Sequence, residues 1–204
     1  MPFKRLPLML ALMALIAAPL AAGSARAATD PAAVQIESFD TALLDSMKAG
    51  SSLGAKGRYR KLAPVIQRTF DLTAMTRFAV GPAWSTFTPA QQQAATEAFG
   101  RLTIASYAHN FASYDGERFD IDPTVQTRGP DKIVQTHLIR ASDAPVALLY
   151  RMRESGGTWK VIDIYFGSIS QLTTRRSDFA APVAAGGAAG LIAHLNVLID
   201  NLMK

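Results

Sequence analysis

The stretch PVALLYRMRESGGTWKVIDIYF, residues 145–166, decides the fold. Val146, Leu148, Tyr150 and Met152 fall at every second position, and so do Ile162, Ile164 and Phe166. That period of two marks strands with one apolar face. Gly156-Gly157 between them supplies a turn too short for anything but an antiparallel return, since a parallel crossover needs a dozen or more residues. Working outward, Lys132 to Arg140 repeats the pattern with Val134 and Leu138, and Phe119 to Gln126 precedes it. Gly129-Pro130 and Ser142-Asp143 are the connectors. The reading is four antiparallel strands: 119–126, 132–140, 145–153 and 158–166.

The flanks are helical. Asp30-Pro31 is a helix start, with Val34, Ile36, Phe39, Leu43 and Met47 as a rough apolar stripe to about Lys48. Gly50-Ser51-Ser52 and Gly54 form a loop, and a second helix runs from about Gly57 to Phe70, kinked or divided by Pro64. Asp71 caps a third helix, Leu72 to Val80, ended by Gly81-Pro82. Thr88-Pro89-Ala90-Gln91 is a capping box that opens a helix to about Ser113, with Ala94, Ala98, Leu102, Ala105, Ala108 and Phe111 on one face. After the strands, Ser177 to Ala185 reads as a short helix, Gly186-Gly187 breaks it, and Ala188 to Met203 closes the chain. Helices, a meander and closing helices make an α+β domain.

The N-terminus reads as an export signal. Lys4 and Arg5 precede an uncharged apolar run from Leu6 to Ala22, and Ala25-Arg26-Ala27 presents small residues at the positions a signal peptidase reads. Residues 1–27 are therefore expected to be a cleaved leader, and 28–204 one domain in the periplasm. The apolar run of about 17 residues lies at the lower edge for spanning a bilayer, and Pro19 interrupts it. No later stretch is expected to cross a membrane. Without Lys4, Arg5 and Arg26 the balance is 18 basic to 16 acidic residues, net +2, so the high isoelectric point overstates the basicity of the mature chain. The basic residues are scattered, which speaks against nucleic acid. Cysteine is absent, so disulfides, thiol catalysis and cysteine-ligated metals are excluded.

Signals for chemistry are sparse. His109, His137 and His194 join no carboxylate in a metal-binding spacing, and no phosphate-loop or dinucleotide glycine pattern occurs. No cofactor is expected. Asp163, inside the apolar run 161–165, could serve as a general base if burial raised its pKa. The plainer reading has it bonded to a helix end or paired with an arginine, on a face with Trp159 and Val161 and opposite Ile162 and Ile164.

Two stretches go further. Residues 70–81, from Phe70-Asp71-Leu72 to Ala79-Val80-Gly81, with Trp84, Thr88-Pro89 and Gln92 following and Tyr59 to Pro64 leading in, resemble the MlaC family of periplasmic lipid shuttles, also known as toluene-tolerance auxiliary proteins. Trp159 to Ile164, Ser168-Ile169-Ser170, Arg176-Ser177-Asp178-Phe179 and Gly186-Gly187 with Leu191-Ile192 resemble its C-terminal half. The text from Gly167 to Phe179 is similar to the hopanoid-biosynthesis-associated HpnM branch, leaving open a phospholipid, a hopanoid or both.

The resemblance implies a curved four-stranded antiparallel sheet wrapped by helices, cone-like, with an apolar cavity for lipid tails. It implies no covalent chemistry, transient membrane contact, a monomer, and membrane-anchored lipid-transport partners of the ABC or RND kind that maintain outer-membrane asymmetry. Tail-only burial would leave the head group outside and specificity loose. Val134, Leu138, Leu148, Tyr150, Ile162, Ile164 and Phe166 are expected to form the sheet wall of that cavity. Phe70, Met75, Phe78, Leu102, Phe111, Leu191 and Leu195 are expected to form the helical wall. The rivals are a cone-fold enzyme acting on a lipid or hopanoid with Asp163 as base, and an adaptor with a solid core.

Overall fold

Two helices of this chain turn back on themselves, and each does so at glycines. A computed structural model describes residues 29–141 and 143–204; the leader 1–27 lies outside the described residues. Helix α1 (Pro31–Thr69) is capped by Asp30, which accepts from the Ala32 N–H at 2.9 Å. At Gly54 the chain adopts φ 58°, ψ 176°, a conformation confined almost entirely to glycine, and Gly50 is similar. The helix reverses there into two antiparallel arms. Gln35 on the first arm reaches Thr69 on the second at 3.2 Å, and Lys61 donates to the Asp45 carbonyl at 2.7 Å. Arg58, 8% exposed, donates to the carbonyls of Gly50 and of Ala108 on a neighbouring helix. Backbone torsions stay helical through Pro64, which neither divides nor ends the arm.

Helix α2 (Leu72–Val80) follows, capped by Asp71 and stopped at Gly81, and a 3-10 turn (Gly81–Thr86) leads on. Helix α3 (Pro89–Asn110) starts at the expected capping box: Gln91 N–H to Thr88 Oγ1 at 3.3 Å and Thr88 N–H to Gln91 Oε1 at 2.9 Å. It ends three residues before Ser113, with Phe111 as its cap.

The sheet has six strands, not four. These are β1 (Arg118–Ile121), β2 (Gln126–Arg128), β3 (Asp131–Ile139), β4 (Val146–Ser155), β5 (Thr158–Phe166) and β6 (Ile169–Ser170). The order is β1-β3-β4-β5-β6, with β2 also on β3, and every pair is antiparallel. The single strand expected over 119–126 is split because Pro123 has no N–H for the ladder, and the Thr124 N–H turns back onto Asp122 at 2.8 Å. Strand β6 arises from a tight turn at Gly167-Ser168 that pairs Phe166 with Ile169.

A bulge in β5 sets which side chains face the helices. Arg151 pairs with Asp163, but Met152 pairs with Val161, so Ile162 is the extra residue. Val161 and Ile164 therefore share the inner face with Val134, Leu148, Tyr150 and Met152. The regular alternation expected for 159–166 is corrected accordingly: Asp163 does not share a face with Val161. The end of α1 docks beside the bulge, where the Asp71 N–H donates to the Val161 carbonyl at 2.9 Å.

Helix α4 (Gln171–Leu202) begins six residues before the expected Ser177. Ser170 caps it by accepting from the Thr173 N–H, and Asp163 accepts from Leu172, a partner supplied by the sheet rather than by local sequence. Gly187, at φ 55°, ψ −138°, reverses it into two arms. The arms touch backbone to side: a Cβ on Gly190 would lie 2.5 Å from the Pro182 carbonyl oxygen, and Phe179 meets His194 edge-on at 6.5 Å. By length and hydropathy α4 could cross a membrane, contrary to expectation. Folded back, each arm is about 15 residues and ~22 Å long, short of a ~30 Å hydrocarbon layer.

The core lies between the inner sheet face and the helices. Phe39 sits at its centre, edge-on to Phe70 at 5.2 Å, Tyr107 at 5.4 Å and Tyr150 at 6.2 Å. On the opposite face of the sheet Asp131, the first residue of β3 and fully buried, is held by Arg151 and Arg153 at 2.5–2.6 Å. Burial alone would raise its pKa, but the hydrogen bonds from Arg153 and Arg151 outweigh that and lower it.

Candidate functional site

An apolar space is left unfilled beside the aromatic cluster. A cavity of about 130 Å³ lies where the inner sheet face meets the end of α1, α2, α3 and the first turns of α4. Its closed end is aromatic, with Phe70 and Tyr150 no more than 1% exposed. Tyr107 and Phe111, one turn apart on α3 and its cap, stack at 5.5 Å along one side. Strand residues Leu148, Ile164 and Phe166 form the opposite side, brought together by register: Leu148 pairs with Phe166, and Tyr150 with Ile164. Met75, Phe99, Leu102 and Leu172 complete the apolar lining. The mouth is where Asn110 and Phe166 reach solvent, beside half-buried Gln171 and Arg175.

Behind the closed end is an unpaired acid. Asp40, on the first arm of α1, is 3% exposed, and neither carboxylate oxygen has a hydrogen-bond partner. Burial pushes its pKa up to about 8. Burial likewise raises the phenols of Tyr107 and Tyr150, and the charged form of Asp40 adds to both shifts. The space above Asp40 is thus floored by neutral groups at neutral pH, which suits hydrocarbon.

Eight of the fourteen residues expected to bind lipid line this cavity: Phe70, Met75, Leu102, Phe111, Leu148, Tyr150, Ile164 and Phe166. The other six are elsewhere. Val134 is fully buried in the core beside Tyr150, and Leu138 is half-buried nearer the strand end. Ile162 is displaced by the bulge. Leu191 and Leu195 are fully buried in the second arm of α4. Phe78 is 46% exposed on the outside of α2, under the Arg176 guanidinium at 5.7 Å.

Phe99, Thr103, Ser106, Tyr107, Asn110, Gln171, Leu172 and Arg175 line the space without having been expected to. Thr103, Ser106 and Asn110 recur at helical spacing, a signal present in the sequence. Gln171, Leu172 and Arg175 were out of reach once the helix was placed from Ser177.

Asp163 is not among the lining residues. It is 6% exposed, and its oxygens accept from the N–H groups of Ile164 at 2.8 Å and Leu172 at 3.2 Å and from the Ser170 hydroxyl at 2.7 Å. It therefore tethers the start of α4 to β5, as the plainer reading expected of a helix-end partner, and both oxygens are committed.

Comparison with known proteins gives the arrangement a context. Residues 37–197 match the profile of the family described as MlaC protein. A solved structure described as a phospholipid-binding protein from Ralstonia solanacearum, in complex with a phospholipid, superposes with a TM-score of 0.75 at 25% sequence identity. The match covers 86% of this chain and all of that one.

Proposed function

The chain belongs to the MlaC family, and from that membership we propose that it is a lipid-binding protein that carries a phospholipid through the periplasm without covalent chemistry. The observation that carries this reading is the apolar cavity between sheet and helices, in a fold whose Ralstonia relative is described with a phospholipid bound. Residues 1–27 act as the export leader and 28–204 as one lipid-binding domain whose sheet curves around the ligand. The protein works as a monomer, shuttles between inner and outer membranes, and exchanges cargo with membrane-anchored transport components. A hopanoid is the alternative cargo, motivated by the sequence from Gly167 to Phe179.

The energetics favour a carrier of this kind. Each methylene withheld from water is worth about 0.8 kcal/mol, so a lipid with about thirty of them does not cross an aqueous gap unaided. A cavity of about 150 Å³ holds one benzene-sized molecule, and the space here is about 130 Å³. Two acyl chains need several times more, so loading requires α3 and the start of α4 to move off the sheet. Close-packed interiors do not stretch gradually, so this is a switch between a filled and a closed form.

The test is direct. The mature chain is purified from its native host without detergent and extracted with organic solvent, and the extract is weighed by mass spectrometry. About one phospholipid per protein is expected. A triterpenoid in its place would reassign the cargo to the hopanoid alternative. No lipid, together with no uptake from phospholipid vesicles, would overturn the carrier in favour of a solid-core adaptor. Full lipid binding by Asp163→Asn is expected as well, and removes the enzyme reading if turnover of the extracted lipid is also absent.

A further inference from the structure

The polar groups of the cavity are not spread around it. Five of its sixteen lining residues are polar: Thr103, Ser106, Asn110, Gln171 and Arg175. All five come from α3 and the first turns of α4, whereas the sheet side supplies Leu148, Ile164 and Phe166 and, at the closed end, the buried ring of Tyr150. Thr103, Ser106 and Asn110 follow one another along one face of α3. Gln171 and Arg175 are one turn apart on the face of α4 that meets them. The closed end of the cavity is aromatic, whereas Asn110 is exposed and Gln171 and Arg175 are half-buried at the mouth.

Arg175 is the one charged side chain of this lining among the described residues. Its ion-pair partner, Asp178, lies one turn further on, at 3.6 Å and with its side chain 45% exposed. An exposed pair at that distance holds a guanidinium only weakly. A planar, permanently charged fork beside an apolar cavity, flanked by hydroxyl and amide groups, fits a tetrahedral oxyanion better than it fits a hydrocarbon.

We propose that the α3–α4 seam is a subsite for the phosphate of the bound amphiphile, with Arg175 as the residue that selects phosphate-bearing lipids over neutral ones. Chains enter between Leu148, Ile164 and Phe166 on one side and Leu102 and Phe111 on the other, and the phosphate stays at the rim against Arg175. Ser106 and Asn110 are placed to donate to its remaining oxygens. The proposal rests on the carrier reading and narrows it: head-group choice is not loose, and a lipid ending in a bare hydroxyl binds less well than its phosphate-bearing counterpart. The source of the phosphate is a lipid head group rather than a free anion, because the subsite is the rim of an apolar space.

The experiment offers the mature chain vesicles of phosphatidylethanolamine and phosphatidylglycerol doped with diacylglycerol of the same chains. Protein-bound lipid is then quantified by mass spectrometry. Wild type is expected to enrich phospholipid over diacylglycerol about tenfold relative to the vesicle, the scale of one charge-assisted contact. Arg175→Gln is expected to lose that enrichment while still taking up diacylglycerol, and Arg175→Lys to keep part of it. A bound pool that mirrors the vesicle in wild type, or an enrichment that survives Arg175→Gln, overturns the subsite while leaving the carrier intact. No uptake of either lipid by wild type sinks the carrier reading itself, and the subsite with it. Glycerol phosphate in millimolar excess is expected to leave uptake unchanged. Competition by it at the potency of whole lipid would overturn the assignment to a lipid head group.

Discussion

The two folded-back helices make the same turn by the same means and are held together differently. Helix α1 reverses at Gly50 and Gly54, α4 at Gly186-Gly187, each through torsions open almost only to glycine. The arms of α1 are stapled by side chains: Arg58 to the Gly50 and Ala108 carbonyls, Lys61 to the Asp45 carbonyl, Gln35 to Thr69. They bury Ile36, Phe39, Leu43, Leu62 and Ile66 completely. The arms of α4 rely on close backbone approach at Gly190 and on three fully buried side chains, Phe179, Leu191 and Leu195. Helix α4 also borders the cavity, and α1 touches it only at Phe70. On the carrier reading proposed above, α1 is the wall that stays and α4 the wall that parts.

Substitutions that exploit the difference should rank as follows. Gly190→Val puts a branched side chain where even a Cβ lies 2.5 Å from the Pro182 carbonyl, and backbone cannot swing aside as a side chain would. A loss of about 3 kcal/mol or more is expected in urea unfolding. A near-neutral result would mean that the arms of α4 are already loosely apposed.

Asp40 is the flaw in the otherwise well-stapled α1. The folded chain holds its proton up to about pH 8 and the unfolded chain releases it near 3.8, so the folded state binds the extra proton between those values. The stability this confers is full below about pH 4 and is lost as pH rises toward 8, by as much as ~1.4 kcal/mol per pH unit. Asp40→Asn should flatten that slope and be more stable than wild type at pH 8, read from melting temperature against pH. An unchanged slope would show that the acid finds a partner in solution.

Arg58→Met removes the staple between α1 and α3 and strands two carbonyls, a cost of about 2 kcal/mol seen in the same unfolding assay. Gly54→Ala and Gly187→Ala meet open space and differ from wild type only in backbone strain, about 1–2 kcal/mol each. If Gly187→Ala costs stability but also speeds lipid exchange while Gly54→Ala does not, the division into fixed and mobile walls is sharpened. Equal effects on exchange would erase it.

What the sequence disclosed follows the reach of each signal. Asp30, Asp71 and Thr88 announce helix starts because a cap is made within three residues, and all three caps form as read. The interruptions at Gly50–Gly54 and Gly186-Gly187 were visible for the same reason, as a loop and a helix break, but the reversal of the chain at each was not. The start of α4 was not, because part of its capping comes from Asp163 across a strand turn. The bulge was equally hidden: the run from Val161 to Ile164 is apolar at three of four positions, so alternation there is compatible with either face. Of the cavity, the large apolar residues were legible as a class, but Val134 and Leu191, which fill the core, look the same in sequence as Leu148 and Leu102, which line the space. Arg175 escaped notice because nothing local separates it from Arg176 beside it, which packs over Phe78 away from the cavity.

The bulge at Ile162 behaves like an inserted letter in a message read two characters at a time. With it, Val161 and Ile164 fall in phase on the inner face, and Asp163 is left on the opposite face to fasten α4. Deleting that one residue would shift the phase of everything to one side, turning either Val161 out to water or Asp163 in toward the hydrocarbon. The length of β5, and not its composition, is therefore what keeps a carboxylate out of the greasy interior. A single-codon deletion there should be far less forgivable than most replacements of the residue itself.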